Sequence, residues 1–234
     1  MLTMMPMAAC DGSNADPILP EQPGQPGNSD GGDEDDSTNP TNPIPGGNGR
    51  YLVLYCSRTG STERMAQQIQ QTLDCDILEV EPQTPYESDY NGMLNRAQEE
   101  LAAIRQGNYP AIKTSVEDFG NYDIVFVGYP IWYGSMATPM QTFLHNHASK
   151  LAGKRIALFA SSGSSGISAS VDEARTLCSG ATFTETLLLT SSTLSQMGNR
   201  IRTWLETLGA SRENNYPSTS TNVKITVGNR TITA

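Results

Sequence analysis

Short apolar segments alternate with helix-like segments along the chain, and this alternation limits the possible folds more than any other feature. The run YLVLYC at 51–56 has almost no polar residue, as expected of a strand that is covered on both faces. A helical pattern follows at once, because Met65, Ile69 and Leu73 recur at four-residue spacing. The same change from an apolar run to a helical pattern recurs along the chain and predicts five strands, each followed by a helix. The strands fall within 51–56, 75–82, 122–130, 154–162 and 181–191.

Strands that alternate with helices favour an α/β fold of three layers, with a parallel sheet covered by helices on both faces. The longest interval between strands, 83–121, contains a helical pattern from Tyr90 to Ile104. In such sheets, ligands bind beyond the carboxyl ends of the strands, where the winding direction reverses. Three loops rich in glycine, hydroxyl and aromatic residues leave strand ends and are expected to meet at this edge: 56–62, 128–135 and 160–167.

The first of these loops, CSRTGST at 56–62, joins a strand to a helix. A helix N-terminus has unpaired backbone amides and a positive dipole end, so it attracts an anion. Gly60 lets the backbone approach an oxygen closely. The spacing matches neither the triphosphate-binding loop GxxxxGK nor the dinucleotide motif GxGxxG. The loop is therefore either a phosphate cradle or a turn that only caps the helix.

The pattern Ser57-x-Thr59-Gly60-x-Thr62 after the first strand resembles the loop with which flavodoxins hold the terminal phosphate of FMN. The segment GYPIWYGSMATPMQTFL at 128–144 is similar to a flavodoxin-like branch of bacterial proteins. The likeness extends over residues 50–210 and implies a flavodoxin-like domain with a five-stranded parallel sheet of order 2-1-3-4-5 and non-covalently bound FMN. It assigns the phosphate contacts to Ser57, Arg58, Thr59, Gly60, Ser61 and Thr62.

The second loop is expected to lie against the flavin ring and to contribute Pro130, Ile131, Trp132, Tyr133 and Gly134. A flat ring system binds well to a rigid aromatic face, which Trp132 or Tyr133 supplies. The alternative is that Trp132 only packs under the following helix. The family places a glycine carbonyl near the flavin N5, and Gly134 and Gly128 are the two candidates for it.

The third loop is expected to bond the pyrimidine edge of the flavin through Ser161, Ser162, Gly163 and Gly166, since amides and hydroxyls suit its oxygens and N3. It lacks the tyrosine that flavodoxins often have at this position, so one flavin face is expected to be open to solvent or substrate. Tyr86 and Tyr90 are candidates to cover that face, or they pack on their own helix. Arg58 either bonds the phosphate or points to solvent and affects the choice of partner.

The formal net charge of -10 is concentrated at one end of the chain. Eight of the 25 acidic residues and none of the basic residues precede Arg50, so the remainder is nearly neutral. Neither a basic footprint for nucleic acid nor a strongly acidic docking face follows from this distribution. Residues 11–49 consist mostly of Pro, Gly, Asn, Asp and Ser and are expected to form a disordered acidic linker.

The first ten residues, MLTMMPMAAC, resemble the end of a bacterial lipoprotein signal, in which a cysteine is lipidated. The run is too short to span a membrane and lacks a basic start, so it is interpreted as a truncated signal. We expect Cys10 to be the lipid anchor and the linker to be the tether of a cell-envelope protein whose only membrane contact is the lipid. A cytoplasmic protein with an unusual leader is the alternative.

Residues 211–234 contain VKITV and RTITA around Gly-Asn, which predicts a β-hairpin. An isolated hairpin is marginal in water, so it is expected to dock on the domain or to begin a further β-rich domain. The pattern faintly resembles the start of cyclophilin-like domains.

The remaining cysteines and histidines predict no catalytic or metal site, because no Ser-His-Asp, Cys-His or ligand spacing is present. Cys56, Cys75 and Cys178 are expected to be buried free thiols, and His145 and His147 to mark a helix end. The expected function is an FMN-binding electron carrier that serves a protein partner or a small-molecule acceptor. An FMN-dependent reductase, for instance of quinones with NAD(P)H, and an interaction module without flavin are the alternatives.

Overall fold

The computed structural model describes residues 50–212 and two further strands, Lys224–Val227 and Arg230–Thr233, which pair antiparallel. The expected anchor Cys10, the truncated signal 1–10 and the linker 11–49 lie outside the described residues.

Strands and helices alternate as the apolar runs predict, and the predicted helix Tyr90–Ile104 has the bounds of α2. None of the helices in the described part of the chain is both long and apolar enough to cross a membrane. The helices are α1 Ser61–Leu73, α2 Tyr90–Ile104, α3 Thr138–His147, α4 Ser168–Leu177 and α5 Met197–Leu208, which a short 3-10 helix, Leu194–Gln196, precedes. The strands are β1 Tyr51–Tyr55, β2 Asp76–Glu79, β3 Ile124–Trp132, β4 Ser135–Met136, β5 Arg155–Ser162, β6 Thr182–Phe183, β7 Leu187–Thr190, β8 Lys224–Val227 and β9 Arg230–Thr233.

The sheet has the expected order. β2, β1, β3 and β5 lie side by side and run parallel, and β6 and β7 both pair parallel with β5. Since β6 and β7 share the place of one strand, the order is 2-1-3-4-5, and the predicted α/β fold is confirmed. The expected fifth strand, 181–191, is broken between Phe183 and Leu187. At this break the Glu185 carbonyl accepts a hydrogen bond from the Trp204 indole at 2.9 Å, which ties the backbone to α5.

The central strands are buried on both faces. Successive residues of a strand point to opposite faces. In β1, Leu52 belongs to a core cluster with residues of α2, α3 and α4, while Val53 belongs to a second cluster with residues of α1 and α5. All five residues of β1 are buried. The three predicted layers therefore enclose the sheet and leave its strand ends as the accessible edge.

The three cysteines of the domain are buried free thiols, as predicted. Burial raises the pKa of Cys178 to about 11 and that of Cys75 to about 12. It also raises the pKa of Cys56, and the nearby Glu79 carboxylate adds to that rise. These thiols are therefore protonated and act as apolar packing groups at neutral pH.

His147 closes the last turn of α3 and ties the long connection before β3 to this helix. Its Nδ1–H donates to the Phe143 carbonyl at 2.8 Å, and Nε2 accepts from the Val116 amide at 3.2 Å. Burial lowers its pKa, so the neutral form that this pattern requires is stable.

Gly128 of β3 lies opposite Phe159 of β5, and the ring occupies the space that a side chain would need. A Cβ added at Gly128 would lie 2.1 Å from Phe159 Cζ. The Gly128 carbonyl accepts a hydrogen bond from the Cys56 amide at 3.0 Å. Gly128 is therefore a packing residue of the sheet.

Replacing Gly128 with alanine should lower the free energy of unfolding by about 1–3 kcal/mol, because the Phe159 ring must move. Gly198→Ala is the matched control: Gly198 lies in α5 with open space at its Cβ position. It should change stability by less than about 1 kcal/mol, in the stabilising direction. Urea unfolding followed by circular dichroism measures both. An unchanged midpoint for Gly128→Ala would show that the ring moves without cost.

Candidate functional site at the carboxyl edge of the sheet

The loop from β1 to α1 presents a helix N-terminus that is open to an anion. Gly60 precedes α1 with a φ of 82°, in the left-handed region that favours glycine. No side chain of the described residues caps this N-terminus. Thr59 is exposed, and Ser57 and Ser61 are partly exposed. Backbone amides and hydroxyls therefore converge at the positive end of the helix dipole.

A buried hydrogen bond joins the first loop to the third. Thr62 Oγ1 lies 2.8 Å from Ser161 Oγ, and both residues are buried. Thr62 lies in the first turn of α1, after β1, and Ser161 is the second-last residue of β5; β3 lies between these two strands in the sheet. The bond therefore fixes the two loops relative to each other across β3.

The second loop is a tight β-hairpin and not the open loop 128–135 that the sequence predicts. β3 continues to Trp132, and β4 pairs antiparallel with it, Ile131 opposite Met136. The two turn residues, Tyr133 and Gly134, both have positive φ, 51° and 78°, as in a type I′ turn. The Glu173 carboxylate of α4 accepts a hydrogen bond from the Met136 amide at 2.9 Å. The hairpin is thereby fixed next to the helix that follows the third loop.

The two aromatic residues of the hairpin lie in different environments. Trp132 is buried, and the Tyr86 ring meets it edge to face at 5.1 Å. Tyr133 is 51% exposed and lies at the tip of the turn. Trp132 therefore packs against Tyr86 of the connection before α2, and Tyr133 is the more exposed of the two aromatic residues. Of the two candidate glycines, Gly128 has its carbonyl bonded within the sheet, whereas the Cβ position of Gly134 is in open space.

Tyr86 is held in a polar network that the sequence did not reveal. Its hydroxyl bonds Glu100 of α2 and Thr138 of α3, and Thr138 also donates to Glu100 at 2.5 Å. Arg96 pairs with Glu100 at 2.8 Å and lies over the Tyr86 ring at 4.1 Å. Burial and the Glu100 carboxylate raise the pKa of Tyr86 far above its ordinary value. Tyr86 therefore packs against Trp132, and of the two tyrosines predicted to cover the flavin, Tyr90 is the exposed one, at 45%.

The third loop keeps its backbone close to the end of β7. The Ser162 hydroxyl donates to the Ser165 carbonyl at 2.7 Å, and the Ser191 amide donates to the carbonyls of Ser162 and Gly163. Gly163 and Gly166 are exposed. The loop therefore offers an ordered backbone edge at the carboxyl end of β5.

Arg58 makes a contact that neither of the two predictions included. Its Nη2 donates to the backbone carbonyls of Glu87, Ser88 and Asp89, at 3.5, 3.1 and 3.3 Å. These residues lie just before α2, so Arg58 holds the connection between β2 and α2 against the first loop. Sequence reasoning had no signal for this contact, because it joins residues about thirty positions apart.

A cavity of about 400 Å³, here called the β2-side cavity, adjoins the first loop. Ser57, Arg58, the end of β2, the connection to α2 and Trp132 border it. Glu79 ends β2 in this cavity, and burial raises its pKa, with further contributions from Glu81 and Glu63. Sequence reasoning missed this cavity, although the alternation in DILEVEP does place Glu79 and Glu81 on one face of a strand end.

A family model described as Flavodoxin matches residues 50–208. A structure of a candidate flavoprotein from Bacteroides eggerthii DSM 20697 is 32% identical with a TM-score of 0.58, over 68% of this chain and 98% of that one. A candidate flavoprotein from Bacteroides uniformis ATCC 8492 is 28% identical with a TM-score of 0.56, over 67% and 99%.

A flavoprotein from Lactobacillus acidophilus NCFM, solved in complex with FMN, is 26% identical with a TM-score of 0.52, over 63% of this chain and 97% of that one. No curated protein matches the chain.

Glu79→Gln should stabilise the protein at neutral pH. The folded state raises the pKa of Glu79 above its ordinary 4.5, so the folded protein binds this proton more tightly than the unfolded chain does. The contribution of Glu79 to stability is therefore lost as pH rises through the raised pKa. The variant should be more stable by up to about 1 kcal/mol at neutral pH after allowance for solvent screening, and equal to the wild type in acid.

Urea unfolding across this pH range measures the difference between wild type and variant. Glu206→Gln, an exposed change in α5, is the control and should show no such pH dependence. A difference for Glu79→Gln that stays constant with pH would contradict the assigned cause.

Proposed function

We propose that this chain, which belongs to the flavodoxin family, binds one FMN at the carboxyl edge of its sheet and carries electrons. The observation that carries this proposal is the open N-terminus of α1, with Gly60 at positive φ and hydroxyls around it. An uncapped helix N-terminus of this kind suits a phosphate group. The flavoprotein from Lactobacillus acidophilus, which was solved with FMN, supports the choice of ligand.

The donor set of the first loop fits the FMN phosphate. The amides at the start of α1 and the hydroxyls of Ser57, Thr59 and Ser61 would hold it, since they are accessible or partly accessible. Thr62 already lies against Ser161 and would act by keeping the loop in place. Arg58 would act in the same way through the connection before α2, while its charge remains near the phosphate.

The other two loops offer groups that suit the flavin ring. Tyr133 offers an accessible aromatic face, and Gly134, partly exposed at the turn, has open space at its Cβ position. Pro130 and Ile131 would lead the chain to this turn, with Trp132 packed behind it. Residues 161–166 would bond the pyrimidine edge through amides and hydroxyls. FMN, when bound, supplies one- and two-electron redox chemistry, and these residues bind it, orient it and limit its contact with water.

FMN titration of the full chain tests the site. Thr59→Ala should weaken FMN binding by about 1–3 kcal/mol, because a hydroxyl donor to the phosphate is lost. Its affinity for riboflavin, which has no phosphate, should stay unchanged. Thr72→Ala at the other end of α1, where the hydroxyl bonds the Gln68 carbonyl, is the control. Equal losses for FMN and riboflavin in Thr59→Ala would contradict the phosphate contact, and a wild type that takes up no FMN would refute the proposal.

A reductase is the second candidate function, and the exposed third loop is the observation that favours it. A reductase needs room for a second ligand on the flavin, and exposed Gly163 and Gly166, with no aromatic residue beside them, would leave one flavin face open. The carrier needs no catalytic acid or base, only an accessible flavin edge. Turnover of NADH or NADPH with a quinone, well above that of free FMN, would decide for the reductase. Electron exchange with a redox protein, without such turnover, would decide for the carrier.

We also propose that Cys10 carries a lipid that anchors the domain at the cell envelope. The small residues before Cys10 and the Pro- and Gly-rich sequence 11–49 support this proposal. A flexible chain of that length reaches about 35 Å on average, enough to keep a domain clear of a membrane surface. Radiolabelled palmitate should be incorporated by the wild type in a bacterial host and not by Cys10→Ser. Labelling that survives in Cys10→Ser, or no labelling of the wild type, would contradict the anchor.

A further inference from the structure

The β2-side cavity shares Ser57, Arg58 and Trp132 with the proposed FMN site, and the rest of its lining is its own. Its walls come from residues between Cys56 and Pro139, and no residue of the loop after β5 belongs to them. In the sheet, β2 lies beyond β1 on the side away from β5. The cavity therefore lies on the β2 side of the first loop and of the hairpin, and Trp132 is the residue of the hairpin that lines it.

Its size and the apolar part of its walls leave room for one small ring. Cavities of roughly 300–1,000 Å³ hold small molecules, and this one measures about 400 Å³. Trp132, Pro82, Pro85 and Pro139 are stiff, so they form flat apolar surfaces at low entropic cost. Tyr86 meets Trp132 edge to face, and this contact keeps the indole in place. A flat apolar molecule of single-ring size matches these surfaces.

The charges of the cavity favour a cation. The lining has three carboxylates and two basic residues, Arg58 and Lys113, so its formal charge is negative. Lys113 pairs with Glu81 at 3.2 Å, and Arg58 keeps its charge while it bonds backbone carbonyls before α2. Glu79 and Glu87 have no ion pair within residues 50–212, and Glu79 is partly buried beside the Tyr55 hydroxyl. An arriving cation would compensate this negative charge, whereas an anion would meet repulsion.

We propose that the β2-side cavity binds a small aromatic cation, such as an arylalkylamine, with its ring against Trp132 and the prolines and its charge beside Glu79. Aromatic walls and a carboxylate together are the groups that recognise such cations. This inference goes beyond the proposed function and does not depend on FMN binding.

The test uses the flavin-free full chain and three matched probes: benzylammonium, benzyl alcohol and phenylacetate. The chain has two tryptophans, so nitrogen-15 NMR shows two indole signals. Benzylammonium should shift the Trp132 signal in a saturable way with a dissociation constant of about 1 mM. The Trp204 signal, from the core between the sheet and α5, should stay unchanged. Benzyl alcohol should bind about tenfold more weakly, and phenylacetate should not saturate.

Two variants separate the role of the carboxylate from a general effect on the protein. Glu79→Gln should weaken benzylammonium about tenfold and leave benzyl alcohol unchanged, because only the charge is removed. Glu99→Gln, an exposed change on α2 outside the cavity, should alter neither. Equal binding of the cation and the alcohol, unchanged affinity in Glu79→Gln, or no saturable shift of Trp132 would overturn the proposal. Displacement of benzylammonium by FMN would overturn the separateness of the two sites.

Discussion

The burial of β1, β3 and β5 on both faces is the constraint on which the rest of the structure depends. Because helices cover both sides of the parallel sheet, polar groups that must meet a ligand are confined to the strand ends. At the carboxyl edge, the buried bond between Thr62 and Ser161 joins two loops across the strand between them. An anion at the start of α1 and a flat ring at the hairpin would then occupy one continuous rim.

The connection between β2 and β3 shapes this rim from one side. Tyr86 links Glu100 of α2 to Thr138 of α3, and its ring supports Trp132. Removing one member of such a partly buried network leaves the others with unpaired polar groups, which is costly. Arg58 then closes the connection onto the first loop through backbone carbonyls. Arg58 and Trp132 therefore belong both to the rim and to the lining of the β2-side cavity.

Much of the fold follows from local patterns. The apolar run of β1 and the helical spacing of Tyr90–Ile104 identify their elements directly, because the buried positions of a strand or a helix require apolar residues at a characteristic spacing. The end of β3 could not be predicted in this way. The sequence Pro-Ile-Trp-Tyr-Gly is typical of a loop, and only pairing with the two residues of β4 extends the strand to Trp132. The break in the fifth strand likewise coincides with a bond from the Trp204 indole, which is distant in sequence.

The sequence by itself determined the class of fold, the order of elements and the position of CSRTGST between a strand and a helix, since each depends on neighbours along the chain. Only the tertiary structure decided that Trp132 packs while Tyr133 is exposed, and that Arg58 holds the segment before α2. It alone brought Glu79 and Trp132 to one cavity. The direction and burial of a side chain depend on which distant residues surround it, and the spacing of residues along the sequence does not specify those contacts.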